Sequence, residues 1–213
     1  MSRIWLLARH SVFSLLRDRK AVAATEFAVI VPLMLVTFFG TVEISSGVAV
    51  DRKVTLIART LSDLTSQSST QPVYDPYLQN VFTAGISIVY PYAPSPIQAT
   101  ISQIYVDSNQ NATIQWSRAV IVTSDTASQA TLTVSSRNPG DIVTTIVPTA
   151  LLTKQTFLIF SEVSYLYTPS VGYVMVNGVT LHDVAYTRPR QFSCLSYNAT
   201  LPVITTPPTC PMP

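Results

Sequence analysis

Residues 17–20 read Arg17-Asp18-Arg19-Lys20, residues 21–42 read AVAATEFAVIVPLMLVTFFGTV, and Glu43 follows. A basic cluster thus runs into a patch of small residues, then Glu26, then sixteen residues from Phe27 to Val42 without a charge. As a helix at ~1.5 Å per residue, the uncharged run is about 24 Å long, and counting from Ala21 gives about 33 Å, enough to cross a ~30 Å hydrocarbon core. Residues 21–43 are therefore expected to span a membrane. A carboxylate in lipid costs about 2.5–3.5 kcal/mol at the helix centre, so Glu26 belongs near the headgroups or beside a cationic partner. Its plainer reading is an acid in the interfacial first turn, favoured there by the helix dipole.

Orientation follows from the positive charge. Residues 1–20 hold Arg3, Arg9, Arg17, Arg19 and Lys20 against Asp18, a net of +4, while residues 21–213 hold eight basic and ten acidic residues, a net of −2. The basic tail should remain in the cytoplasm and the rest of the chain should be exported. A slightly acidic exported part also speaks against a nucleic-acid partner, because phosphate neutralisation needs a clustered basic face. A cleaved secretory signal fits less well: the apolar run exceeds the usual ~7–15 residues, and Glu26 and Pro32 interrupt it.

Beyond Glu43, Ile44, Val48, Val54, Ile57, Leu61 and Leu64 recur mostly every three or four residues, with Asp51, Arg52, Lys53, Arg59 and Asp63 on the other faces. That is the pattern of an amphipathic helix, and it predicts one continuous helix over 18–66, with 44–66 as a stalk. A polar loop follows at 65–72. Asp75 as N-cap with Pro76 at the first helical position predicts a short helix that the Pro91–Pro96 run ends. Residues 97–106 and 112–116 read as a hairpin about the 107–111 turn. Residues 119–136 are a strand or an ordered insertion, and periodicity does not decide between them. Residues 156–168, 171–176 and 179–187 read as a meander, with Pro169-Ser170 and Asn177-Gly178 as its turns. The resulting class is α+β: a transmembrane-plus-stalk helix followed by an exported antiparallel-sheet domain over 67–190, with its helices on one side.

From Gln191 to Pro213 the chain is Pro-rich and reads as an extended, unstructured tail carrying both cysteines, Cys194 and Cys210. In an oxidising exported compartment that pair reads as a disulfide-closed loop; the other reading is two free thiols. No metal or cofactor motif is present, because C-x-x-C spacing, neighbouring histidines and a G-x-G-x-x-G loop are all missing. No catalytic set emerges either. His182 and Asp183 are neighbours in a predicted strand and so point to opposite faces. Glu162, an acid inside an apolar strand, is expected to pair with Arg118 or Arg188 across the sheet, or to face water.

The segment from Arg17 to Pro32, followed by Gly40 and Glu43, resembles the opening of TadE-like proteins, minor pseudopilins of the tight-adherence (Tad, Flp-type) pilus machinery. The likeness lies in the basic-then-small run, Glu26-Phe27-Ala28, Pro32 and the Gly40-x-x-Glu43 spacing. Tyr90-Pro91-Tyr92, Trp116-Ser117-Arg118, Glu162 to Pro169 and Arg188-Pro189-Arg190 are similar to the family's periplasmic landmarks, so the resemblance covers about residues 14–192. It implies a pilin-like, non-catalytic subunit, single-pass in a bacterial inner membrane. Its partners would be other pilins and pseudopilins and the Tad assembly machinery. It also implies that residues 1–20 serve as a prepilin leader and that a prepilin peptidase cuts between Ala21 and Val22, where the family usually has Gly in place of Ala21. Glu26 would then be the fifth residue of the mature chain, facing the amino terminus of a neighbouring subunit. The competing reading is a membrane-tethered periplasmic binding or sensor domain, which needs neither Glu26 nor the small patch before it.

Overall fold

The computed structural model describes residues 19–169 and 177–199. Helix α1 (Arg19–Ser66) runs unbroken for 48 residues, as its two apolar patterns require. Residues 22–38 are exposed, with Val31 half-buried, whereas Val50, Val54, Ile57, Ala58 and Leu61 are buried against the rest of the chain. The outer half is long and apolar enough to cross a membrane. Three threonines in it bond back to their own helix: Thr25 Oγ1 donates to Val22 O at 2.8 Å, Thr37 Oγ1 to Met34 O at 2.9 Å and Thr41 Oγ1 to Thr37 O at 2.7 Å. Hydroxyls satisfied in this way carry little cost in hydrocarbon.

The stripe that meets the domain differs from the expected one. Glu43, Ser46, Gly47 and Val50 share the inward face, at helical spacing, and Ile44 and Val48 lie on the exposed side. Polar residues hold these inward positions, so an apolar-only reading chose the wrong neighbours.

Helix α2 (Asp75–Ser87) folds back along α1: the Tyr77 hydroxyl donates to Leu64 O at 2.8 Å, and Lys53 Nζ donates to Ile88 O at 2.9 Å and to Tyr90 O at 2.7 Å. A Cβ on Gly85 would stand 2.6 Å from Leu61 Cδ2, so the two helices touch there through a missing side chain. Tyr74, not Asp75, is the N-cap residue, and it makes no side-chain capping bond. Asp75 is the first helical residue because its carboxylate is taken elsewhere, by Arg118 and Tyr197.

Five antiparallel strands form one sheet: β1 (Gln98–Val106), β2 (Ala112–Ile121), β3 (Leu132–Thr133), β4 (Thr156–Tyr167) and β5 (Val179–Thr187), in the order β3-β2-β1-β4-β5. The undecided stretch 119–136 resolves into the end of β2, an irregular connection and the two residues of β3. Strand β4 pairs directly with β5, and the expected middle strand 171–176 lies outside the described residues. Both faces of the sheet are covered. Ile101, Val120, Ile159 and Val163 pack under the two helices. Ile104, Ile114, Leu158 and Phe160 pack under Val143, Val147 and Leu152 of the 141–152 segment. A bulge in β2 places Trp116 opposite Gln103 and Ile114 opposite Ile104, so even-numbered side chains change face at Gln115.

Residues 191–199, expected to open an unstructured tail, are packed on the domain instead, and the remainder of that expected tail lies outside the described residues. Leu195 is fully buried, its N–H donates to Gln103 Oε1 at 2.6 Å, and its carbonyl accepts from Trp116 Nε1 at 2.6 Å. Tyr197 pairs with Val73 in a short parallel bridge. Residues 191–199 therefore close the helix-side core, drawn in by Phe192, Leu195 and Tyr197.

Candidate functional site

Among the described residues, the bare half of α1 presents the largest run of exposed apolar side chains, including Phe27, Val29, Leu33, Met34, Val36 and Phe38. Glu26 is exposed at the head of this run. With Thr25, Val29 and Ile30 it lines a shallow groove of about 380 Å³. The Thr25 hydroxyl is committed to Val22 O, so the Glu26 carboxylate is the polar group this groove offers to a neighbour. Ala21 and Val22, the expected cleavage pair, are both helical, in the first described turn.

Glu43 sits at the other end of the apolar run and is 2 % exposed. Tyr167 packs nearby and is hydrogen-bonded to Ser46; burial raises its pKa, and the charge of Glu43 adds to the rise. The Tyr92 ring meets Tyr167 edge-on at 6.1 Å. Glu43 therefore turns into the protein at the level where the domain begins.

Within the domain, charged groups serve structure. Arg118 grips Asp75 with two bonds of 3.1 and 2.8 Å, the Tyr197 hydroxyl donates to Asp75 Oδ1 at 2.6 Å, and the guanidinium lies 4.9 Å from the centre of the Tyr197 ring. Burial first, then the bond to Asp75, pushes the Tyr197 hydroxyl up to about 12. Glu162 pairs with neither expected arginine. Its partner is Arg137, at 2.9 and 2.5 Å, because Glu162 faces the 141–152 side of the sheet whereas Arg118 lies on the helix side. Arg188 donates to Thr153 Oγ1 at 2.8 Å, and Arg190 pairs with Asp63.

His182 and Asp183 lie in β5 as expected, and Asp183 Oδ1 accepts the Val184 N–H at 2.7 Å. Among the described residues no group of three His, Cys, Asp or Glu is close enough to hold a metal. An open groove of about 550 Å³ lies between Ile86, Tyr90–Pro94 and residues 125–130, with Asp125 as its one acid. Cys194 is fully buried beside Tyr105 and Phe157 and is not a free thiol. Cys210, its expected partner, lies outside the described residues.

Sequence reasoning had no means of finding Asp75–Arg118–Tyr197, whose members are brought together from three distant parts of the chain. Glu43 had a usable signal, an acid at the exact end of an apolar run with Ser46 and Gly47 at inward helical spacing.

No curated protein and no solved structure matches the chain. Residues 21–61 match the model of the TadE-like protein family. The match begins with the small patch, takes in Glu26 and Glu43, and ends at Leu61, the last fully buried apolar residue of α1. The chain thus carries a TadE-like segment that comprises the bare half of α1 and most of its packed half.

Proposed function

We propose that this protein is a non-catalytic subunit of a Tad/Flp-type pilus system, a minor pseudopilin that assembles through the bare half of α1. In this reading it crosses the bacterial inner membrane once, with its N-terminus in the cytoplasm and the sheet domain in the periplasm. The observation that carries the reading is the TadE-like match over a helix whose outer half is mostly exposed among the described residues and bears an acid at its entrance. A buried carboxylate and a neighbour's ammonium each lower the other's cost in lipid, so Glu26 suits subunit pairing at the membrane.

Glu26→Gln removes the charge while easing insertion. The expected outcome is normal protein level and membrane location with few or no pili, scored by electron microscopy and surface adherence in a strain whose only copy is the variant. Wild-type piliation would instead favour the membrane-tethered binding domain, for which the groove by Tyr90–Pro94 is the ligand-sized space. Sequencing the mature N-terminus reads processing separately: Val22 is expected as the first residue if a prepilin peptidase accepts Ala21.

Cys194 and Cys210 form a disulfide in this reading. Closing a loop of that length constrains the unfolded chain by about 3 kcal/mol in the entropy model. Two reactive thiols in non-reduced, denatured protein from the cell envelope would refute the bridge.

A further inference from the structure

The register of the sheet against α1 fixes which end of the domain faces the membrane. Ser161 Oγ in β4 donates to Ala58 O at 2.6 Å, and Tyr167, six residues on, reaches Ser46, twelve residues back along α1. Six strand residues cover ~20 Å and twelve helical residues ~18 Å, so β4 and α1 run side by side in opposite directions. The end of β4 is therefore level with Ser46, only ~6 Å past Val42, where the apolar run stops. The sheet is antiparallel, so the start of β1, the end of β2 and the start of β5 lie at that same end. The Tyr90–Pro94 loop joins them: Lys53 holds Tyr90 O, Tyr92 packs on Tyr167, and the Tyr165 hydroxyl donates to Ala93 O at 2.9 Å.

Exposed apolar side chains stand at this end among polar ones such as Gln98, Asp125, Thr168 and Thr180. Tyr90 is 79 % exposed, and Ile121, Leu166 and Val179 are exposed at the strand ends around it. The opposite end is the Asp107–Asn111 turn, which is polar throughout. Of the other exposed aliphatics of the domain, Ile142 and Ile146 belong to the cover of the far face, Val134 follows β3 and Val184 lies inside β5, so none enters this ring. The headgroup layer is roughly 5–8 Å thick on each side of the hydrocarbon core, and tyrosine is enriched there because its ring is apolar and its hydroxyl wet.

We propose that this end of the domain, centred on Tyr90 and Leu166, rests in the headgroup layer of the bilayer that α1 crosses. The domain is then a seated body with a fixed height and tilt, not a head free on a stalk. The inference rests on residues 21–43 spanning the membrane, and its test separates the two ideas. The full-length protein, with Trp5→Phe to leave buried Trp116 as the constant signal, is reconstituted into phosphatidylcholine vesicles. Single tryptophans are then added by Tyr90→Trp, Leu166→Trp, Phe38→Trp or Asn109→Trp.

Lipids brominated near the headgroup should quench the added emission at positions 90 and 166 about two-fold more than lipids brominated at the chain ends, as expected of interfacial residues. Position 38, ~6 Å inside the end of the apolar run, should be quenched by both lipids, and position 109 should respond to neither. Quenching at 38 with none at 90 and 166 would overturn the seating alone and leave the apolar end to a protein partner. No quenching at 38 would overturn the span itself, and the seating with it.

Discussion

Helix α1 contains the same chemical group in two settings. Glu26 stands exposed at the head of the bare half, and Glu43, at the start of the packed half, is turned into the protein. A composition-based reading treats both as acids bordering an apolar run. The fold separates them: Glu43 shares a face with Ser46, Gly47 and Val50, which the sheet and the Tyr92 loop cover, whereas nothing in the described chain covers Glu26. One acid is thereby committed to the chain's own architecture, and the other is left exposed.

The largest expected effect tests whether the two halves are energetically distinct. Leu61 is fully buried between α2 and the sheet, so Leu61→Ala should destabilise the domain by about 3 kcal/mol through lost burial and a residual cavity. Leu33→Ala, on the bare half, should leave the urea midpoint of the detergent-solubilised protein unchanged. Equal shifts from the two substitutions would erase the distinction between the halves.

A smaller effect compares the acids directly. Removing a buried, interacting polar group costs about 1–3 kcal/mol, so Glu43→Ala should lower the thermal midpoint of the domain. Glu26→Gln should not move it, whatever it does to piliation. A Glu26 variant that melts early would place that residue in the fold and remove it as an assembly contact.

The smallest effect concerns Tyr197, far from the membrane end. Its hydroxyl holds its proton more tightly in the folded state, up to about 12 against an ordinary value near 10. Its contribution is therefore complete below pH 10 and is lost as pH rises through the folded value, because the unfolded state then releases the proton first. Tyr197→Phe should flatten the fall in stability between pH 10 and pH 12. An unchanged slope would show that the clasp on Asp75 contributes nothing through the hydroxyl.

Much of this architecture was legible in the chain. The continuous helix, the hairpin of β1 and β2 and the first and last strands of the expected meander, β4 and β5, follow from apolar spacing, because local periodicity and the final packing agree there. The site reading was partial for a physical reason. Glu26 is identified by its neighbours in sequence, whereas Glu43, Glu162 and Asp75 acquire their roles from residues brought near by folding. Glu162 was assigned the wrong arginines because a strand shows which residues alternate but not which side meets which loop. The bulge at Gln115 further reversed the parity on which such a guess depends. The 191–199 strap was hidden by the prolines that follow it, although Phe192, Leu195 and Tyr197 were there to be weighed.

The unbroken length of α1 also makes it a mechanical part. A pull or a twist applied to its bare end reaches the sheet without crossing a hinge, and the load spreads along the seam from Val50 to Leu61, so that many contacts must shear together before any one gives way. Pro32 is the exception within the rod, since it has no N–H to complete the ladder of helical bonds. Bending is therefore concentrated in the bare half, away from the domain, and the helix is stiff where it grips its own sheet and yielding where it is uncovered.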